Sequence, residues 1–398
     1  MADRMPLPES TEGLALPPLS LYIHLPWCIR KCPYCDFNSH PYAGLLPESR
    51  YVDALLTDLQ AGLACAQGRP LQSVFLGGGT PSLFSPEGLA RLLDHVSQYL
   101  MILPSTEITL EANPGTVDRA KLRAYRQMGI NRLSVGVQSL HNSLLRNIGR
   151  IHDRNQAISA VEAAQAAGFD TVNLDLMFGL PGQSPRAALD DINEAIALAP
   201  QHIAYYQLTL EPDTRFGQTP PCLPAEDLVW TMHTTGIAAL EQAGYAHYEV
   251  SAYAQPGQYC RHNLNYWRFG DYLGIGAGAH SKLTLAEQGA IFREQRLAEP
   301  FAYMHALEQT GTALAQRQTL TRPAILFELM LNALRLTGGL SWTELYRHTG
   351  LTAAELAAPL ADAKAKGWLW HDRQGVGPTD HGLQYLNDLL LLFLPDAT

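Results

Sequence analysis

The chain has 398 residues, 46% of them hydrophobic and 17% charged, with a formal net charge of −10. That is apolar material for a large core and two or three domains, and an acidic balance without basic blocks that excludes non-specific nucleic-acid binding as its main task. The first twenty residues lack the apolar centre of a signal peptide, and the apolar run at 389–394 is far too short to cross a bilayer. Six cysteines, three of them clustered, place the protein in a reducing compartment, the cytoplasm.

In chain order, residues 1–18 read as a loose leader closed by Pro17-Pro18. An apolar strand over 20–25 delivers the stretch Cys28-Ile29-Arg30-Lys31-Cys32-Pro33-Tyr34-Cys35. A helix over 47–66 follows, with Pro47 in its first turn and Tyr51, Leu55, Leu56, Leu59 and Leu63 on one face. Short apolar strands over 73–76, 107–110, 132–137, 171–174 and 203–208 then alternate with helices over 85–100, 117–128, 155–167 and 186–198. Six strands in such alternation predict a parallel α/β fold, a partial (β/α)6 TIM-like barrel. Polar and glycine residues fall at the strands' carboxyl ends, where barrels gather their sites.

Beyond Glu211 the alternation lapses. A helix is expected over 225–243, strand-like runs over 248–253 and 272–275, and a linking helix over 301–308. The tail reads as helices over 323–336, 341–348 and 353–366, a hairpin of 369–371 with 376–378, and a helix over 382–394, a winged-helix-like unit. The expected division is thus leader 1–18, barrel 19–210, extension 211–320 and C-terminal domain 321–398. The acidic, apolar tail suits a protein or ligand contact better than DNA.

Three cysteines spaced C-x3-C-x2-C on one loop suit a metal centre, since an odd, tightly spaced set cannot all be taken up in disulfides within the loop. Zinc would require a fourth ligand, for which only His24 or His40 lies near in sequence. An iron–sulfur cluster would use Cys28, Cys32 and Cys35 and leave one iron open. Cys65, on a helix, and Cys222, beside prolines, read as incidental thiols.

Together with Gly77-Gly78-Gly79-Thr80-Pro81, Glu111-Ala112-Asn113-Pro114, Gly136-Val137-Gln138-Ser139, Asn173-Leu174-Asp175-Leu176-Met177 and His262-Asn263-Leu264-Asn265-Tyr266-Trp267, this loop resembles the radical S-adenosylmethionine superfamily. Within it, the chain is similar to the family that joins oxygen-independent coproporphyrinogen III oxidases and heme chaperones, from about residue 21 to the carboxyl end. The resemblance implies a [4Fe–4S] cluster on Cys28, Cys32 and Cys35, with S-adenosylmethionine on the open iron. It also implies S-adenosylmethionine contacts at Tyr22, Tyr34, Gly78, Gly79, Thr80, Glu111, Gln138, Arg150 and Asp175. His262 and Tyr266 match a motif implicated in heme binding, and a buried structural histidine is the competing reading of His262. His280 and Cys260 stand in reserve as heme ligands.

Phe37 occupies the place where the oxidase branch carries a fourth cysteine, and Asp36-Phe37-Asn38-Ser39-His40 resembles the chaperone branch. The expected function is therefore a heme carrier that passes heme to an acceptor protein, with a reductant for the cluster and any membrane contact made through that acceptor. Coproporphyrinogen III oxidation and a related radical methyltransferase activity are the alternatives.

Overall fold

The computed structural model describes residues 14–42 and 44–395. β1 (Leu19–Leu25), β2 (Leu71–Gly78), β3 (Ile102–Ala112), β4 (Arg132–Gln138), β5 (Thr171–Phe178) and β6 (His202–Gln207) run parallel in sequence order, as the alternation predicted. Leu19, Leu21, Ile23 and Leu25 of β1 are fully buried, and of the alternate positions Ser20 and His24 are buried and Tyr22 half-buried. Burial of both faces is what a central parallel strand requires.

The sheet continues past the six expected strands at both edges. β7 (Ala246–Glu249) and β8 (Ala252–Ala254) extend it antiparallel beyond β6. β9 (Asp271–Ile275) adds a seventh parallel strand on the other side of β1. β10 (His280–Leu285), β11 (Ala290–Arg296) and β12 (Leu314–Thr319) follow it antiparallel. The order is β12-β11-β10-β9-β1-β2-β3-β4-β5-β6-β8-β7, with twelve strands in one sheet whose outer edges are not joined. The barrel is partial and open.

Helix boundaries follow their local chemistry. Ser85 caps helix Pro86–Tyr99 by accepting from the Gly88 amide at 3.0 Å, with Pro86 in the first turn. Asp153 and Gln156 form a reciprocal capping box at the start of Arg154–Ala167, and Gly168 ends that helix at φ +79°. The helix expected over 47–66 is α-helical over Glu48–Gly62 and tightens into a 3-10 turn at Leu63–Ala66.

The C-terminal helices Arg322–Ala333, Trp342–Thr349 and Ala353–Ala365 enclose their own core around Leu329, Leu345, Leu356, Leu360 and Leu389. A small sheet pairs Gly375–Pro378 with Leu340–Ser341 and Leu369–His371. The single helix expected over 382–394 is instead two short ones, Asp380–Gln384 and Leu386–Leu391. Of the expected loose leader, residues 1–13 lie outside the described residues. Residues 14–18 are fastened: the Ala15 amide donates to the Arg347 carbonyl at 2.8 Å, and the Asp271 amide to the Pro18 carbonyl at 2.9 Å. No helix among the described residues is long and apolar enough to cross a membrane.

Candidate functional site

The carboxyl ends of the parallel strands surround a cavity of about 620 Å3. Cys28, Cys32 and Cys35 line it, and so does every residue expected to contact S-adenosylmethionine except Tyr22. Tyr22 faces an adjoining cavity of about 570 Å3, which shares Asp36, Phe37, Gly78 and Glu111 with the first.

Each thiol has a polar neighbour. Thr80 Oγ1 donates to Cys28 Sγ at 3.4 Å, Arg150 Nη1 to Cys32 Sγ at 3.7 Å, and Ser39 Oγ lies 3.6 Å from Cys35 Sγ. Burial pushes the Cys28 thiol up, and the other two thiols push it further. Arg150 also donates from Nη2 to the Gly136 carbonyl at 2.7 Å, while its Nε is buried without a partner. A buried orphan donor on a guanidinium is what a carboxylate in the cavity would satisfy.

Gly77, Gly78 and Gly79 at the end of β2 are held close to the chain itself. A Cβ on Gly78, at φ +115°, would lie 2.5 Å from the His24 ring, and one on Gly79 would lie 2.6 Å from the Trp27 carbonyl oxygen. These glycines let the strand end pass beneath the cysteine loop, in addition to lining the cavity.

Two carboxylates face the same space. Glu111 accepts from the Gly78 amide at 3.0 Å, and Asp175 accepts from Ser134 Oγ at 3.2 Å and Asn173 Nδ2 at 2.8 Å. Burial, and secondarily the charge of Asp175, raises Glu111 to about 7, against the pull of the Gly78 amide. Burial raises Asp175 as well. The pair concentrates negative potential where a ligand ammonium or sulfonium would be welcome. Gln138 sits at φ +67°, an unusual backbone for a non-glycine residue, and its Oε1 accepts from Tyr206 at 2.8 Å. Strain of this kind persists where neighbours hold it in place, and it concentrates at ligand sites.

The donor set fits an iron–sulfur cluster better than a single ion. Among the described residues no three His, Cys, Asp or Glu side chains converge on one point. The zinc alternative also loses its nearest fourth ligand, because His24 spends Nδ1 on Tyr22 at 2.9 Å and Nε2 on the Asn38 carbonyl at 2.8 Å. Three thiols on one loop, each beside a polar group, are the donor type that iron–sulfur clusters use.

Residues 22–195 match the family model "Radical SAM superfamily", and residues 320–385 match "HemN C-terminal domain". A protein of Escherichia coli (strain K12) named heme chaperone HemW is 46% identical over 381 residues, covering 96% of this chain and 99% of that protein. The chain belongs to the HemW family. Heme chaperone HemW of Haemophilus influenzae is similarly close, 45% identical over 96% of this chain and 99% of its own length. Among solved structures, coproporphyrinogen III oxidase (HemN) from Escherichia coli superposes with a TM-score of 0.81 over 95% of this chain and 90% of that chain. At 24% identity this likeness shows that the HemW-family chain shares the fold.

The HemW-family stretch His262 to Trp267 lies on a short helix, Arg261–Trp267. Glu107 of β3 holds its first turn, accepting from the Arg261 and His262 amides at 3.0 and 3.1 Å. His262 is 1% exposed. Its Nδ1 lies 2.8 Å from Ser73 Oγ and its Nε2 lies 2.9 Å from the Tyr266 hydroxyl. Because Ser73 donates to Ser20, it can accept from Nδ1–H, which leaves Nε2 to accept from Tyr266. Neither ring nitrogen is open. Burial holds the imidazole neutral, at about 3. Tyr266 does reach the adjoining cavity, as do Trp267 and His280. Cys260 is buried against Glu107, 3.6 Å from its carboxylate, and lines neither cavity.

Sequence reasoning did not single out Tyr206, Ser134 or Arg335, all of which line the cysteine cavity. Tyr206 was readable in principle, as a polar residue near the end of the sixth parallel strand. Arg335 comes from the C-terminal region and stacks 4.4 Å from the Trp267 ring, a placement with no local signature.

Proposed function

We propose that the protein is a heme chaperone that carries a [4Fe–4S] cluster on Cys28, Cys32 and Cys35, binds S-adenosylmethionine beside it, and hands heme to an acceptor protein. The reading is carried by one observation: a single cavity unites the three thiols with the glycine, arginine and carboxylate residues of the strand ends, in a chain of the HemW family. In such a site the cluster supplies an open iron and electrons from a reductant. The chain's own residues would position the ligand: Arg150 toward its carboxylate, Glu111 and Asp175 toward its cationic or hydroxyl groups, and Gln138, held by Tyr206, toward its edge.

Phe37, 59% exposed where both cavities meet, supports carriage over porphyrinogen decarboxylation. Anaerobic incubation of the reconstituted protein with S-adenosylmethionine, reductant and coproporphyrinogen III is expected to give no decarboxylated product, while added hemin is taken up stoichiometrically. Formation of that product would favour the oxidase reading instead.

A second expectation concerns pH. With Glu111 at about 7, a cationic ligand favours its ionised form, so binding in more acid solution must expel a proton. Affinity for S-adenosylmethionine should therefore fall by up to about tenfold for each unit below neutrality. Calorimetric titration of Glu111→Gln should give weaker binding with no such slope, and an equal slope in the variant would assign the proton to another group.

A further inference from the structure

We propose that the cavity of about 570 Å3 beside the cysteine site is the heme seat, with His280 as the axial ligand of the iron. The inference rests on the reading of the chain as a heme carrier and names the site that reading leaves open.

Two histidines line this cavity, His24 and His280. His24 has both nitrogens in hydrogen bonds. His280 is the first residue of β10, it is exposed, and among the described residues no hydrogen bond ties its ring to the protein. Partial burial of the ring, and secondarily the nearby Arg293, lowers its basicity, which favours the neutral imidazole and its lone pair for a metal.

The walls suit a flat macrocycle. Tyr266, Trp267 and Tyr272 supply aromatic surface on one side, and Phe37 supplies it at the rim shared with the cysteine cavity. The volume lies within the range of sites that enclose a ligand of this class. Arg293, packed 5.5 Å over the Tyr272 ring, is on the wall too, with Nε and Nη2 on Glu328 and Nη1 on the Tyr272 hydroxyl, so a propionate would have to share it with that carboxylate.

An independent observation concerns the floor. Phe269, which lines the cavity, is held at φ +57°, a backbone unusual for an aromatic residue. Its carbonyl accepts from Lys282 Nζ at 3.0 Å, and a Cβ on the next residue, Gly270, would collide with the Asn265 side chain. The floor is fixed in a strained shape before any ligand arrives, as ligand clamps are. His262 then has a different task, holding the Tyr266 hydroxyl from beneath.

The test is anaerobic titration of hemin into the full-length protein, followed by absorption and electron paramagnetic resonance. Wild type should show a histidine-ligated spectrum. His280→Ala, a change at an exposed side chain without hydrogen bonds, should lose that spectrum and bind at least about tenfold more weakly, with free imidazole restoring the signal. His280→Met should shift the spectrum to that of a thioether ligand. His262→Ala should weaken uptake yet keep the imidazole signature. An unchanged spectrum and affinity in His280→Ala would overturn the assignment, and so would loss of the imidazole signature in His262→Ala alone. Failure of the wild type to take up hemin would remove the carrier reading itself, which separates the two failures.

Discussion

Asp271→Ala is expected to cost about 3–5 kcal/mol of folding stability, the range for removing one partner of a buried charge pair. Asp271 is fully buried at the start of β9, where its Oδ1 accepts from Lys282 Nζ at 3.0 Å and from Thr284 Oγ1 at 2.8 Å. Its Oδ2 accepts from Arg69 Nη1 and from the Thr284 amide, at 2.8 and 2.9 Å. Lys282 is 1% exposed and has no other ion-pair partner among the described residues, so the substitution leaves an ammonium in the interior. Arg50→Ala, which breaks an exposed pair with Glu308, is the control and should leave stability nearly unchanged.

Chemical denaturation of both variants checks the contrast, and equal small shifts would mean that Lys282 finds another partner. The pH dependence has a definite sign. Burial alone would raise Asp271, but Lys282 and then Arg69 outweigh it and leave the carboxyl below its ordinary value. The carboxylate's contribution is therefore complete above its unfolded value of about 3.9 and is lost as pH falls through the lower folded value. Wild type and Asp271→Ala should converge in stability only in strong acid.

The same residue shows where the sequence stopped being readable. The first six strands announce themselves because each is a short apolar run punctuated by glycine, proline or a polar end, and parallel strands bury both faces. β9 was recognisable only as a strand-like run, since its partner β1 lies some 250 residues earlier and its parallel pairing leaves no local trace. β12 carries no apolar alternation at all: Leu314–Thr319 is exposed along its whole length and is held to β11 by its ladder and by Arg317 against Phe292 and Glu294. The cavity residues at strand ends were legible for a related reason. Barrel geometry brings those ends together whatever the loops do, so Glu111, Gln138 and Asp175 converge without being near in sequence.

The fate of His262 was not legible. A helix of seven residues carries it, and that helix is started by Glu107, 155 positions away, while its ring is buried by Ser73 and Tyr266. Only the tertiary structure separates an imidazole whose nitrogens are both engaged from one, His280, whose ring makes no hydrogen bond among the described residues. The glycine run was half legible. Its need for backbone without side chains was clear, but His24 and the Trp27 carbonyl, which enforce that need, come from the neighbouring strand and loop.

The largest effect at the site is expected from Cys32→Ser. If the three thiols hold a cluster, each supplies one iron ligand, and a serine hydroxyl neither deprotonates as readily nor matches sulfur's softness. Anaerobic reconstitution of Cys32→Ser should therefore leave little of the iron, acid-labile sulfide and broad visible absorption that wild type acquires. Cys222→Ser and Cys65→Ser are the matched controls: Cys222 is exposed beside Leu223, Cys65 sits in the 3-10 turn after helix Glu48–Gly62, and neither lines the cavity. Both should load fully.

Because Cys32 is only half-buried, its replacement should leave the fold intact, which circular dichroism and an unchanged unfolding midpoint of the metal-free protein would verify. Arg150 provides the finer test. Its guanidinium donates to Cys32 Sγ and keeps a buried Nε unpaired, so Arg150→Lys should retain the cluster while weakening S-adenosylmethionine. Full loading of Cys32→Ser would remove that thiol from the ligand set. Loss of the cluster in Arg150→Lys would mean that the arginine serves the sulfur rather than the ligand's carboxylate.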